Sequence, residues 1–248
     1  MLTKRMNMTL FSSLVLWIFS SSAQAAFHNS LYSESTYYES YDVVTESRLK
    51  SLFIWEEGEN MSAGAYVGAS IQYQTPNAPQ KYYDNALTPQ AGLQFGFLKK
   101  ITLQLQAGYR NVIEEKSQAT SESEWDPRAI LSAGDFLYWS PSSPLFTEYY
   151  GEASYVPRLS STPVSSAWLK AGMRYSPLKN IYADPYAEGF IRESRSPDLG
   201  PSMTQWRVGG RLLWTTTEWN VAALLYHNIN SNETSSPIEG LFVVGGNF

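Results

Sequence analysis

The sequence predicts an all-β chain that closes into an antiparallel, up-and-down transmembrane barrel of about 12 strands. Three observations lead there: an export-type leader, an apolar period of two rather than the helical period, and connections that alternate between short and long.

The leader comes first. Lys4 and Arg5 precede an apolar run from Thr9 to Phe19, and Ala23-Gln24-Ala25 fits the small-x-small rule for signal-peptide cleavage. The run is shorter than the roughly 20 residues a helix needs to cross a bilayer. Residues 1–25 are therefore expected to be a cleaved signal peptide, and residues 26–248 the barrel. Residues 26–45 can supply either the first strand or a periplasmic tail or plug.

Composition excludes several classes. Without Lys4 and Arg5, 16 basic residues face 23 acidic ones, a net charge of −7. A mildly acidic chain with no Lys/Arg stripe does not suit nucleic acid. The absence of cysteine removes any disulfide framework, thiol nucleophile or Cys-ligated zinc. His28 and His227 are too few for a multi-histidine metal site, so neither metal nor cofactor is expected. Aromatic residues make up 15% of the chain, including 17 Tyr and 8 Trp, which suits girdles at two membrane interfaces. No segment after residue 25 has a continuous apolar run of transmembrane-helix length.

The strands follow from alternation. Ala65, Val67, Ala69, Ile71 and Tyr73 alternate with Tyr66, Gly68, Ser70 and Gln72. Ile101 to Arg110 places apolar residues on odd positions and mostly polar ones on even. Ala167, Leu169, Ala171, Met173 and Tyr175 alternate with Trp168, Lys170, Gly172 and Arg174. Trp206, Val208, Gly210, Leu212 and Trp214 alternate with Arg207, Gly209, Arg211 and Leu213. This is the signature of strands with two unlike faces. Strands are read at 31–43, 47–57, 62–74, 88–98, 101–112, 127–139, 145–157, 166–176, 181–193, 204–215, 218–228 and 240–248. Their lengths are near the 9–11 residues of tilted membrane strands.

A soluble β-sandwich alternates in the same way. The connections separate the two. Leu98-Lys99-Lys100, Ser140 to Pro144, Ser176 to Asn180 and Thr216-Thr217 are short, while Ile113 to Trp125, Arg158 to Ser165, Ser194 to Met203 and Ile229 to Glu239 are longer. Outer-membrane barrels have short periplasmic turns and longer outer loops. The last strand, Gly240 to Phe248, ends in an aromatic residue. In this it resembles bacterial outer-membrane β-barrels, whose assembly machinery reads the terminal strand. The resemblance implies that Phe248 is an assembly signal and that both chain ends are periplasmic. It also implies contact with outer-membrane lipids and lipopolysaccharide.

The same parity sorts the charges. With Phe242, Val244, Gly246 and Phe248 facing lipid, the inner face carries Arg128, Glu148, Glu152, Lys170, Arg174, Asp184, Glu188, Arg192, Arg207 and Arg211. Successive strands are neighbours in such a barrel, so acidic and basic walls are expected to form a cross-strand ladder. Glu148, Arg174 and Asp184 are expected near the periplasmic ends, with Glu152, Lys170 and Glu188 one repeat higher. Such a ladder can fill and satisfy a polar lumen, or it can filter polar solutes by a transverse field.

One segment carries candidate catalytic groups: Tyr226-His227-Asn228-Ile229-Asn230-Ser231, followed by Glu239. A Ser–His pair oriented by an acid suits ester hydrolysis. The stretch resembles the His-x-Ser-Asn region of outer-membrane lipid A deacylases, but Ile229 stands at the serine position. The His-x-Ser pattern of outer-membrane phospholipases is likewise absent. Separately, Leu-x-x-x-Tyr-Tyr-Gly-Glu-Ala from Leu145, Gly172-Met173-Arg174-Tyr175 and Arg207-Val208-Gly209-Gly210-Arg211-Leu212 are similar to the barrel domains of phage-adsorption and exopolysaccharide-secretion outer-membrane proteins. The helical-repeat region of that family is missing.

The resulting expectation is a non-enzymatic bacterial outer-membrane barrel. Its first reading is a small passive pore for polar or carbohydrate-like solutes. The alternatives are a non-conducting barrel serving surface-polysaccharide secretion or partner adsorption, and a lipid hydrolase using His227.

Overall fold

A computed structural model describes residues 26–38, 42–58, 60–74, 85–114, 123–157, 162–194, 202–229 and 238–247. Among these residues there is no helix. The strands are β1 (Ala26–Tyr38), β2 (Asp42–Glu57), β3 (Met61–Gln74), β4 (Asn85–Phe97), β5 (Ile101–Glu114), β6 (Glu124–Trp125), β7 (Arg128–Tyr138), β8 (Leu145–Val156), β9 (Thr162–Met173), β10 (Tyr175–Leu178), β11 (Ile181–Ser194), β12 (Met203–Thr215), β13 (Trp219–Asn228) and β14 (Ile238–Asn247).

Long strands pair antiparallel with their neighbours, β1 pairs with β14, and β9 pairs with β11. The sheet therefore closes on itself as a 12-stranded barrel, with β6 an extra rung beside β5 and β10 a continuation of β9 beyond Arg174. Closure removes the unpaired edges that an open sheet would present.

Turn chemistry sits at one rim. Residues 58 and 60, 98–100, 139–144, 179–180 and 216–218 lie between strands at the rim that also holds Ala26 and Asn247. At Phe97–Lys100 the tight turn has Leu98 and Lys99 at φ 54° and 57°, and Lys100 N–H donates to Phe97 C=O at 3.1 Å. Positive φ at both central residues matches the right-handed twist of the flanking strands.

The first hairpin corrects the sequence reading. A strand at 31–43 and another at 47–57 place the turn at 44–46, whereas the structure runs β1 from Ala26 to Tyr38 and starts β2 at Asp42. Neither stretch contains the Gly, Pro or Asn that marks a turn. Cross-strand register decides instead: Tyr38 lies opposite Asp42, and Ser33 opposite Ser47. β1 is a full wall strand, paired on one side with β14 and on the other with β2.

The two faces differ as the alternation requires. Val67, Leu93, Leu105, Leu169, Leu212, Leu225 and Phe242 lie exposed on the outer surface. Polar residues on that face satisfy one another: the hydroxyls of Ser33 and Ser47 are 2.7 Å apart, those of Ser35 and Thr45 2.9 Å. Inside, Phe146, Tyr186, Leu224 and Tyr226 form a buried cluster against Phe136, Leu241 and Val243. The apolar core of this protein thus lies within the barrel, on the β8–β14 side of the lumen. Gly172 makes room for it, since a Cβ there would come within 3.0 Å of Phe146 Cζ and 2.8 Å of Tyr186 Cβ.

Candidate functional site

The inner face of β8, β9, β11 and β12 carries the predicted charges, and register sets their rows. Glu148 lies opposite Lys170, Lys170 opposite Glu188, and Glu188 opposite Arg207. Asp184 lies opposite Arg211. Glu152 lies opposite Ser166, so the expected level of Glu152 with Lys170 is not observed; Lys170 belongs with Glu148. Pairing runs perpendicular to tilted strands, so counting residues from each strand end misplaces heights around a barrel.

Side chains tie these rows into two sets. Arg174 grips Asp184 in a fork, Nε to Oδ1 at 2.9 Å and Nη2 to Oδ2 at 2.7 Å. Arg211 donates to Asp184 Oδ2 through Nε at 3.0 Å and Nη2 at 2.9 Å, and its Nη1 lies 2.8 Å from Glu148 Oε2. In the second set Lys170 Nζ lies 3.4 Å from Glu188, and Arg207 Nη1 donates to the same carboxylate at 3.0 Å. Arg207 also faces Glu239 at 3.8 Å, and Asn228 donates to Glu239 at 2.8 Å.

Aromatic rings enclose both sets. Lys170 Nζ sits 3.8 Å from the Trp168 ring centroid, the Arg174 guanidinium 4.4 Å from Phe136, and Arg207 4.5 Å from Phe190. Cation–π contacts gain strength in dry surroundings, and these are dry: the side chains of Asp184 and Glu188 are 0% and 4% exposed. The network packs one side of the lumen solid. The remaining predicted residues lie apart from it. Arg128 pairs with the fully buried Asp126 at 2.5 Å, and Arg192, half-buried, lies near the far end of β11. Glu152 is held by Tyr150 at 2.8 Å and Ser154 at 2.9 Å. Phe248 lies outside the described residues.

Beside the packed network, and lined in part by its Glu148, Trp168, Lys170 and Arg211, is a cavity of about 770 Å³. Its lining extends from Leu213 and Asn220, beside the short-turn rim, up to Glu34, Glu46 and Arg128. Glu34, Glu46, Arg48 and Lys50 on β1 and β2 face it, as do Gln90, Gln104 and Gln106. The Arg48–Glu46 pair there, at 2.6 Å, keeps 45% and 38% side-chain exposure. The misplaced turn put Glu46 outside a strand, while Glu34, Arg48 and Lys50 lay inside the strands read at 31–43 and 47–57 but were given no face. The alternation Glu46-x-Arg48-x-Lys50 was the signal that could have found them. Tyr66 donates to Gln106 at 3.0 Å and Gln106 to Gln90 at 3.2 Å, so the amide wall is itself cross-linked.

Of the catalytic candidates, His227 and Glu239 do not come together. His227 lies exposed on the outward face, between inward-facing Tyr226 and Asn228. Glu239 is buried on the inner face with Asn228 and Arg207, and Ser231 lies outside the described residues.

No protein-family model matches the chain, and no curated protein matches it. Among solved structures it is similar to an outer membrane channel from Pseudomonas putida F1, at 10% identity over 92% of this chain and 97% of that one, with a TM-score of 0.45. It is similar to the beta domain of the Bordetella autotransporter Brka at 13% identity over 90% and 99%, TM-score 0.47. It is also similar to LpxR from Salmonella typhimurium at 9% identity over 88% and 99%, TM-score 0.42. The likeness is one of fold: this chain is a closed, 12-stranded antiparallel barrel that resembles bacterial outer-membrane barrels.

Proposed function

We propose that this protein resides in the bacterial outer membrane and acts there as a narrow passive pore for small polar solutes. Residues 1–25 direct export and are removed. The short-turn rim faces the periplasm, and Phe248 presents the terminal strand to the assembly machinery. The observation that carries the pore reading is the cavity of about 770 Å³, lined by charged, amide and hydroxyl side chains from the short-turn rim to the upper parts of β1 and β2. A polar lumen beside a rigid packed wall suits passage rather than storage of an apolar ligand. The outward placement of His227, away from Glu239, supports a non-enzymatic barrel.

The test is single-channel conductance of the refolded chain in planar bilayers. Discrete steps are expected, with ion selectivity altered in Glu152→Ala, which lines the cavity, and stability lowered first in Arg174→Ala, which lies within the packed network. A silent bilayer with inserted, heat-modifiable protein overturns the pore reading.

The Arg211–Glu148 contact across the lumen favours a second reading, a non-conducting barrel. Such a barrel serves as a rigid part of surface-polysaccharide secretion or as a docking surface for an outer partner, in contact with lipopolysaccharide. A silent bilayer is its expected result.

A further inference from the structure

The charges around the cavity are not all paired. Arg174, Asp184, Arg211 and Glu148 form a set with no net charge, and Lys170, Glu188, Arg207 and Glu239 form another. Arg128 is matched by Asp126. Of the other charged residues on the cavity wall, Glu46 pairs with Arg48, and the Glu34 and Glu152 carboxylates and the Lys50 ammonium are left with no ion pair among the described residues. Arg48 is engaged by Glu46, and Lys50 donates to Gln94 with its ammonium 4.6 Å from the Tyr66 ring centroid.

Glu34 and Glu152 are held in the same way. Tyr32 donates to Glu34 Oε2 and Thr36 to Oε1 at 3.4 Å. Tyr150 donates to Glu152 Oε2 at 2.8 Å and Ser154 to Oε1 at 2.9 Å. Both carboxylates sit in a Tyr-x-Glu-x-Ser/Thr stretch, and the strand period puts both hydroxyls on the carboxylate's own face, one on each side. Hydroxyl donors satisfy the oxygens and fix the rotamer, but they leave the negative charge in place, whereas a guanidinium cancels it. β1 and β8 are separated by the same number of strands in both directions around the ring, so the carboxylates face the passage from opposite walls. Arg48 lies within electrostatic range of Glu152, but its closest partner is Glu46.

We propose that this part of the lumen is a cation-preferring constriction. Glu34 and Glu152 are its specificity-determining residues, and small cations or amine-bearing solutes are its permeants. Uncancelled carboxylates facing a narrow aqueous passage with low-dielectric walls raise the local concentration of cations and lower that of anions. The inference rests on the pore reading above.

The experiment is the reversal potential of the refolded full-length mature chain in planar bilayers under a KCl gradient. Wild type is expected to favour K⁺. A Glu34→Gln, Glu152→Gln double variant keeps side-chain shape and is expected to lower the K⁺/Cl⁻ permeability ratio by about threefold. Lys50→Gln is expected to raise the ratio, and it decides the matter if the double variant fails to show a heat-modifiable gel shift. Conducting wild type that favours Cl⁻, or a ratio unmoved in folded variants, overturns the proposal while leaving the pore intact. Silent, properly inserted wild type overturns the pore reading and this proposal with it.

Discussion

Arg211 on β12 reaches Glu148 on β8 at 2.8 Å, past two intervening wall strands, β9 and β11. The contact cannot come from strand pairing. It joins two non-adjacent walls, with Asp184 at the middle accepting from both Arg174 and Arg211.

Asp184 is the member whose loss should cost most. Its side chain is fully buried, and Asp184→Asn leaves Arg174 without its carboxylate and Arg211 with Glu148 alone. The expected destabilisation is about 3–5 kcal/mol, the scale for breaking a buried ion pair from one side. Glu148→Gln removes a single contact from a carboxylate that is 19% exposed and should cost less. Urea titration of the refolded barrel in detergent micelles checks the order; equal midpoints for the two variants would contradict it.

Glycine positions inside and outside the barrel should respond oppositely. Gly172→Ala pushes a methyl group against Phe146 and Tyr186, and the expected loss is about 1–3 kcal/mol. A Cβ on Gly210 meets nothing nearer than the Asp184 carbonyl at 3.9 Å, so Gly210→Ala should be neutral or stabilising by up to about 1 kcal/mol. Thermal unfolding followed by gel mobility distinguishes them.

The Phe97–Lys100 turn uses residues poorly suited to its backbone. Leu98 and Lys99 both hold positive φ, which costs a side-chain-bearing residue about 1–2 kcal/mol. Replacing them with Asn-Gly, the favoured pair for this turn, should raise the unfolding midpoint. A lower midpoint in a folded variant would show that Leu98, exposed at the rim, contributes through the surrounding lipid.

Lys100 and Asp135 pair at 2.5 Å on the outer surface of the short-turn rim. The Lys100 ammonium is held above its ordinary pKa, first by the hydrogen bond to Asp135 and then by its charge. A raised folded-state pKa means that any stabilisation is fully present below the ordinary lysine range and is lost as pH rises through the raised value. Water screens so exposed a pair, so Lys100→Ala should leave the urea midpoint unchanged at neutral pH. A large drop would mean that lipid headgroups shield this rim from water.

Much of the site was legible because strand period is local. Arg207 and Arg211 share a face with each other by sterics alone, as do Glu148 and Glu152, and Lys170 and Arg174. The partners were not legible. Glu152 binds Tyr150 and Ser154 rather than a base, and Glu148 reaches Arg211 rather than stopping at the lysine opposite. Which inward residues meet depends on stagger between strands and on curvature of the wall, and no short stretch of sequence encodes either.

By itself the sequence determined an all-β barrel of alternating faces, with charges turned inward and short turns gathered at one rim. Each of these follows from residue type and from neighbours within a few positions. Tertiary structure decided that β1 ends at Tyr38 and β2 starts at Asp42, that β1 closes the wall against β14, and that aromatic rings fill the β8–β14 side. It also decided that Glu34 and Glu152 face one cavity. Those outcomes depend on register and closure, where residues hundreds of positions apart must fit together in one ring before any contact between them is made.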